Sequence, residues 1–206
     1  MAITLHHLEN SRSQRVLWML EELGLDYDVI RYDRDPKTML APPALKKVHS
    51  LGKSPVIEAD GEVIAETAVI AQFLVDRAEG RLGAPAGQGR RYDFWMHYAE
   101  GSLMPPLLLK LGMSKVPLMG RMAKRRVQPM IDVHLDFVES ELRTRDWFAG
   151  DAISAADVMM SFPLDAAQSR GGLDDSRPAT TAWLRRIHAR PAYQAALKVG
   201  GPYAYA

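Results

Sequence analysis

The period of the hydrophobic pattern changes once along this chain, and that change limits the folds open to it. From Ile3 to Leu74, short apolar runs that alternate as strands do are interleaved with stripes at helical spacing. From Arg90 onward the stripes are almost all helical. Between the two, Gly80, Gly83, Gly87 and Gly89 with Pro85 mark a linker. At 206 residues the chain can form two small domains, each with its own core. The expectation is an α/β domain at residues 1–78, a linker at 79–89 and an all-helical domain at 90–206.

The first domain reads β-α-β-α-β-β-α. Ile3 to His6 is a strand candidate. Asn10, Ser11 and Ser13 offer caps to a helix carrying Val16, Leu17, Leu20 and Leu23, and Gly24 sits at its C-terminal cap. Tyr27 to Tyr32 has strand character, and Pro42-Pro43 opens a short helix, Ala44 to Val48. Asp60-Gly61 joins a strand begun at Ser54-Pro55-Val56-Ile57 to Val63-Ile64-Ala65 as a hairpin. Glu66-Thr67 precedes the last helix. In the second domain, Tyr92, Trp95, Tyr98, Ala99, Leu103 and Leu107 share one face, and Ile131, Leu135, Val138 and Leu142 share another. Ser154 and Asp157 have capping-box spacing before the apolar run Val158 to Leu164. Trp183 to Ala189 and Ala192 to Val199 close the chain as two short helices.

Composition excludes several chemistries. There is no cysteine, so disulfides, thiolate metal sites and a cysteine nucleophile are ruled out. Any thiol chemistry must use a ligand's thiol. Lys plus Arg is 26 and Asp plus Glu is 25, a balance that gives no case for nucleic-acid binding. The six basic residues between Gly101 and Ile131 (Lys110, Lys115, Arg121, Lys124, Arg125, Arg126) read first as a solvated helix face. A site for anionic electrophiles or an acidic partner is the other reading. The histidines show no metal-ligand spacing, so no metal is expected. No secretory leader pattern opens the chain, and no apolar run approaches the ~20 residues of a membrane span. A cytoplasmic protein without membrane contact is expected.

Three short motifs carry polar groups suited to a ligand. Gly52-Lys53-Ser54-Pro55-Val56 puts Pro at a strand start, where a cis bond would turn neighbouring backbone groups toward a peptide-like ligand; a plain trans Pro is the alternative. Glu66-Thr67 at a helix start suits a carboxylate on its N–H groups and an ammonium on Glu66, or is simply a cap. Ser11, between the first strand and first helix, reads either as an N-cap or as a donor to an anion, and Ser13 competes for both roles.

These motifs bring a family into view. Ser11 to Leu25 (SRSQRVLWMLEELGL) resembles the first helix of cytosolic glutathione transferases. Residues 52–56 resemble their cis-Pro loop, Glu66-Thr67 their acidic-plus-hydroxyl pair, and Ser154 to Asp157 the capping box of their helical domain. The run Ala99-Glu100-Gly101-Ser102-Leu103 resembles a serine-type subgroup shared by bacteria and fungi. The resemblance implies a thioredoxin-like domain followed by a helical bundle domain that contributes the electrophile site, in a homodimer.

It also implies site roles. Glutathione would be a co-substrate, with no permanent cofactor. Val56 would pair its backbone with the cysteinyl part, with Pro55 cis. Glu66 and Thr67 would hold the γ-glutamyl ammonium and carboxylate, and Lys53 would reach the glycyl carboxylate. Ser11 falls where the serine-type classes place the thiol-activating hydroxyl, with Asn10, Arg12 and Ser13 as alternates. Tyr98, Met104, Pro105, Leu108 and Met113 are candidate lining for a small hydrophobic electrophile, or else packing residues. The expected function is conjugation of glutathione to such electrophiles. Glutathione-dependent peroxide reduction and a non-catalytic binding role are the alternatives.

Overall fold

The computed structural model describes residues 2–116 and 119–205, with side chains of residues 119–124 outside that description. The chain forms two compact units. One comprises Met1–Gly83 together with Ala189–Ala204, the other Ala84–His188. The helix expected at Ala192 to Val199 thus lies in the first unit rather than in the second.

In the first unit, β1 (Ile3–Leu8), α1 (Ser13–Leu23), β2 (Tyr27–Tyr32), α2 (Leu45–Val48), β3 (Val56–Ala59), β4 (Glu62–Ala65) and α3 (Thr67–Arg77) follow in the expected order. The sheet order is β2-β1-β3-β4; β1 and β2 are parallel and the other pairs antiparallel. This is the thioredoxin-like arrangement the resemblance implied. The β1–β2 crossover is α1, whose Val16, Leu17, Trp18, Leu20 and Leu23 are all buried. Each such side chain contributes about 1.5–3 kcal/mol by leaving water. Gly24 ends α1 in the left-handed conformation at φ 60°. Asp60 and Gly61 both have positive φ, as a two-residue hairpin turn requires.

The N-terminus of α1 departs from the sequence expectation. Arg12 is the N-cap and no side chain caps the helix there. The Ser11 hydroxyl instead accepts the Ser13 N–H at 3.2 Å. The closing helix α9 (Pro191–Gly200) packs on α1, with Tyr193 edge-on to Trp18 at 5.3 Å and Arg190 paired to Glu22. Its apolar stripe announced burial, but a stripe does not name the surface that buries it.

In the second unit, α4 (Gly89–Tyr98), a π-helical turn (Ala99–Leu103) and α5 (Met104–Ser114) continue one another. Pro105 and Pro106 have no N–H to return to residues 101 and 102, and the wider π turn falls where those bonds are missing. The Ala-Glu-Gly-Ser-Leu run is this turn. It is followed by α6 (Met119–Leu142), α7 (Ala155–Ala166), a second π turn (Ala167–Gly171) and α8 (Pro178–His188). Helix α7 is buried along its whole length. Asp157 starts it by accepting the Ser154 N–H, the Ser154 hydroxyl and the Phe148 N–H at 2.9–3.0 Å. No described helix is long and apolar enough to cross a membrane.

Candidate active site

The sequence candidates in the first unit meet where β1 runs into α1. Ser11 is buried, and its Oγ lies 2.8 Å from Ser13 Oγ. Ser13 Oγ is in turn 2.9 Å from His7 Nδ1. His7 Nε2 faces the carbonyl of Gly200 at the end of α9, at 3.2 Å. A carbonyl only accepts, so Nε2 carries the ring hydrogen and Nδ1 is left as an acceptor. Burial drives the His7 pKa down to about 4, helped by the Arg31 charge and opposed by the Gly200 bond. The ring is neutral at pH 7.

The polarity of the row follows. The Ser13 hydroxyl donates to His7 Nδ1. Its other acceptor, the Leu8 carbonyl at 3.1 Å, would leave two lone pairs facing each other across the shorter 2.9 Å gap. Ser13 Oγ then accepts the Ser11 O–H, and Leu8 N–H at 3.2 Å.

The cis-Pro loop joins this row. The Ser54-Pro55 bond is cis. Ser54 Oγ donates to the His6 carbonyl at 2.9 Å and accepts the Leu8 N–H at 3.3 Å, so Leu8 N–H is shared between Ser54 and Ser13. Val56 stands in register with His6 on one side and Ala65 on the other. Its backbone faces neighbouring strands, which leaves no edge for a ligand. Ser54, two residues before the ladder begins and across the cis bond from Pro55, is the residue at the strand's open end. Gly52, at φ 57°, makes the turn; a Cβ there would lie 2.6 Å from Lys46 Cγ. Lys53 is exposed.

Glu66 stands at the N-cap of α3 with φ 69° and ψ 121°, a conformation side chains rarely adopt. Glu66 is exposed, while Thr67 is buried at the first turn. Asn10 is committed elsewhere: its Oδ1 accepts the Ala204 N–H at 2.7 Å, and its carbonyl accepts Arg34 at 3.2 Å. Arg12 is half-buried.

The five electrophile candidates on the second unit divide. Tyr98 packs against Phe94, Trp95 and Phe137, and its hydroxyl lies 2.6 Å from His134 Nδ1. Burial pushes its pKa up to about 12. Met104 is buried, Met113 half-buried, and Pro105 and Leu108 are exposed on one face of α5. Of the basic run, Lys115, Arg125 and Arg126 are exposed, and Lys110 donates to Gln128 at 2.5 Å; the Arg121 and Lys124 side chains fall outside the described residues. Among the described residues no cluster of His, Asp and Glu could hold a metal ion.

Two residues of the site were not singled out in the sequence. Ser54 follows only from strand register. His7 continues the Ile3–Leu5 face of β1, and that alternation was the one signal that it would be buried.

A thioredoxin-like domain with a hydroxyl cluster at its first helix, a cis-Pro loop and an acidic residue before a helix defines the glutathione-using class of enzymes. Residues 11–77 match the glutathione S-transferase N-terminal domain and residues 108–191 its C-terminal domain. The chain is 36% identical to glutathione S-transferase 3 of Schizosaccharomyces pombe, over 92% of this chain and 84% of that protein. It is 33% identical to glutathione S-transferase 1 of Saccharomyces cerevisiae, over 94% and 93%. Among solved structures, a glutathione S-transferase from Actinobacillus pleuropneumoniae superposes with a TM-score of 0.87 at 33% identity, over 98% of this chain and 95% of that one. A sphingomonad glutathione S-transferase complexed with glutathione superposes at 0.80 and 25% identity, over 96% and 98%. The chain belongs to the glutathione S-transferase family and is an enzyme of that family.

Proposed function

We propose that this enzyme binds glutathione on its first unit, ionises the thiol beside Ser11, and conjugates the thiolate to small hydrophobic electrophiles. The observation that carries this reading is Ser11: a buried hydroxyl at the start of α1, fixed by the Ser13 N–H. A free thiol of pKa ~8.5 is only a few per cent ionised at pH 7. Lowering it by ~2 units makes most of it thiolate, and each unit needs about 1.4 kcal/mol. A hydroxyl donor, backbone N–H groups and the positive end of α1 together supply that order of energy.

The remaining groups serve binding. Ser54, held against β1 and outside the ladder, offers its backbone to the cysteinyl part in place of Val56. Glu66 takes the γ-glutamyl ammonium, Thr67 its carboxylate, and Lys53 the glycyl carboxylate. Pro105 and Leu108 are the open apolar positions for the electrophile; Tyr98 and Met104 pack behind them on the same unit. The enzyme acts as a cytoplasmic homodimer in this reading, and sedimentation gives the dimer directly.

The test is a pH titration of bound glutathione's thiolate absorbance in wild type and Ser11→Ala. A bound pKa well below that of free glutathione, lost in the variant, is expected. A low pKa kept in Ser11→Ala moves the role to Ser13, Arg12 or backbone donors. No binding at millimolar glutathione overturns the reading. Conjugation of an aryl halide, beside reduction of an organic hydroperoxide, separates transferase from peroxidase chemistry.

A further inference from the structure

The row Ser11–Ser13–His7–Gly200 has two arrangements in which each hydrogen sits between a donor and an acceptor. In the first, Ser11 donates to Ser13, Ser13 to His7 Nδ1, and His7 Nε2–H to the Gly200 carbonyl. Ser11 Oγ then offers a lone pair to its surroundings, which suits a protonated thiol. In the second, every hydrogen between ring and thiol has shifted one position. His7 Nδ1–H donates to Ser13, Ser13 to Ser11, and Ser11 donates outward, which suits a thiolate. Because Gly200 keeps the hydrogen on Nε2, the second arrangement requires an imidazolium. Turning the Ser11 hydroxyl outward with a neutral His7 would leave two oxygen lone pairs facing across 2.8 Å, or an oxygen and a ring nitrogen facing across 2.9 Å.

We propose that His7 is a positioning residue at the inner end of a proton relay, coupling ionisation of the glutathione thiol at Ser11 to protonation of His7 through Ser13. The inference rests on the reading of Ser11 given above. In the step, the thiol S–H bond breaks as Ser11 Oγ takes its proton. Ser11 passes its own hydrogen to Ser13, and Ser13 passes its own to His7 Nδ1. One proton moves in all, no electrons change owner, and the product is a thiolate with an imidazolium behind it.

The groups facing the ring make the coupling conditional. Arg31 of β2 and burial both oppose the imidazolium, while the Gly200 carbonyl of α9 and the Ser13 hydroxyl of α1 accommodate it. The negative thiolate supplies the missing favourable charge. His7 therefore holds a proton only while the thiolate is present.

Nitrogen NMR of the six histidines at pH 7 tests this in the wild-type protein, with the His7 signal assigned by its loss in His7→Gln. In complex with glutathione the His7 shifts should be those of an imidazolium. In complex with S-methylglutathione, which has no thiol proton, they should be those of a neutral ring. A neutral His7 in both complexes overturns the relay. In the thiolate titration, His7→Gln should raise the bound thiol pKa by about one unit, cutting the thiolate-to-thiol ratio at pH 7 about tenfold. An unchanged pKa in His7→Gln, with a raised one in Ser11→Ala, overturns the relay and leaves Ser11 as activator. A low pKa kept in Ser11→Ala overturns the Ser11 reading itself. If His7→Gln does not fold, another assignment route leaves the wild-type comparison decisive.

Discussion

His7 of β1 donates its ring hydrogen to the carbonyl of Gly200, 193 residues away, and so ties the last turn of α9 to Ser13, the first residue of α1. The bond fixes the tautomer of a buried ring. It also gives the closing helix a place in the first unit that its own sequence does not state.

A neutral buried histidine makes stability fall in acid. The folded pKa of His7 is driven down to about 4, against 6.5 for an unperturbed histidine. Between those values the unfolded chain binds more protons, so stability is full above about pH 6.5 and is lost as pH falls toward 4. The gap corresponds to about 3 kcal/mol at most. Asp157, pushed up to about 6 by burial, acts with the opposite sign in the same window. It is common to wild type and His7→Gln, so it cancels in their difference. Urea midpoints measured from pH 4 to 7 should show wild type losing ground to His7→Gln as pH falls. A constant difference would mean that His7 does not stay neutral on folding.

Glycines at the end of α9 hold the same contact. A Cβ on Gly200 would meet Gln14 Oε1 at 2.4 Å and Leu17 Cδ1 at 3.0 Å. At Gly201, φ is 76° and ψ −158°, a region open essentially to glycine, with Arg31 Nη1 only 1.9 Å from a built Cβ. Gly201→Ala should cost about 1–3 kcal/mol by backbone strain. Chemical denaturation should show that loss. A variant as stable as wild type would mean that the tail leaves α1 at little cost.

These contacts mark the boundary of what was legible in the sequence. Local chemistry was readable: Gly24 as a helix stop, Asp60-Gly61 as a hairpin turn, and Ser154 with Asp157 as a helix start each need only neighbours within a few residues. The order of the first seven elements followed from such signals. Long-range pairing was not readable. The stripe of α9 did not name α1 as its partner, and Val56 looked open until register placed it between two strands. Ser11 could be read in two roles, cap or anion donor. The structure puts Arg12 at the N-cap, so the helix begins one residue later than a Ser11 cap would need, and the Ser11 hydroxyl meets the Ser13 N–H from just outside it. His7 was invisible as a functional group because its partners are Ser13, across a turn, and a carbonyl at the far end of the chain.

The capping box should act on stability alone. Ser154 and Asp157 hold each other at the start of α7, within the second unit and remote in sequence from the Ser11 row. Ser154→Ala should cost about 0.5–2 kcal/mol. Its melting temperature should drop while its affinity for glutathione stays nearly that of wild type. A large affinity loss at unchanged stability would contradict a purely structural role.

Glu66 should show the opposite pattern, because its backbone and its side chain pull in different directions. Holding a glutamate at φ 69° costs on the order of 1–3 kcal/mol, which glycine avoids. Part of that gain is offset by the greater freedom of glycine in the unfolded chain, about 0.5–1 kcal/mol. Glu66→Gly should therefore leave the protein as stable as wild type or about 1 kcal/mol more stable. The same change removes the carboxylate that takes the glutathione ammonium, and a hydrogen bond to a charged group contributes about 1.5–3 kcal/mol. Affinity for glutathione should fall roughly 10- to 100-fold. Glu66→Gln separates the two effects, since it keeps the strained backbone and loses only the charge. It should bind weakly without the gain in stability. Calorimetric titration beside thermal unfolding reads both quantities. Weak binding in neither variant would remove Glu66 from the site, and a destabilised Glu66→Gly would mean that the side chain, rather than the ligand, repays the strain.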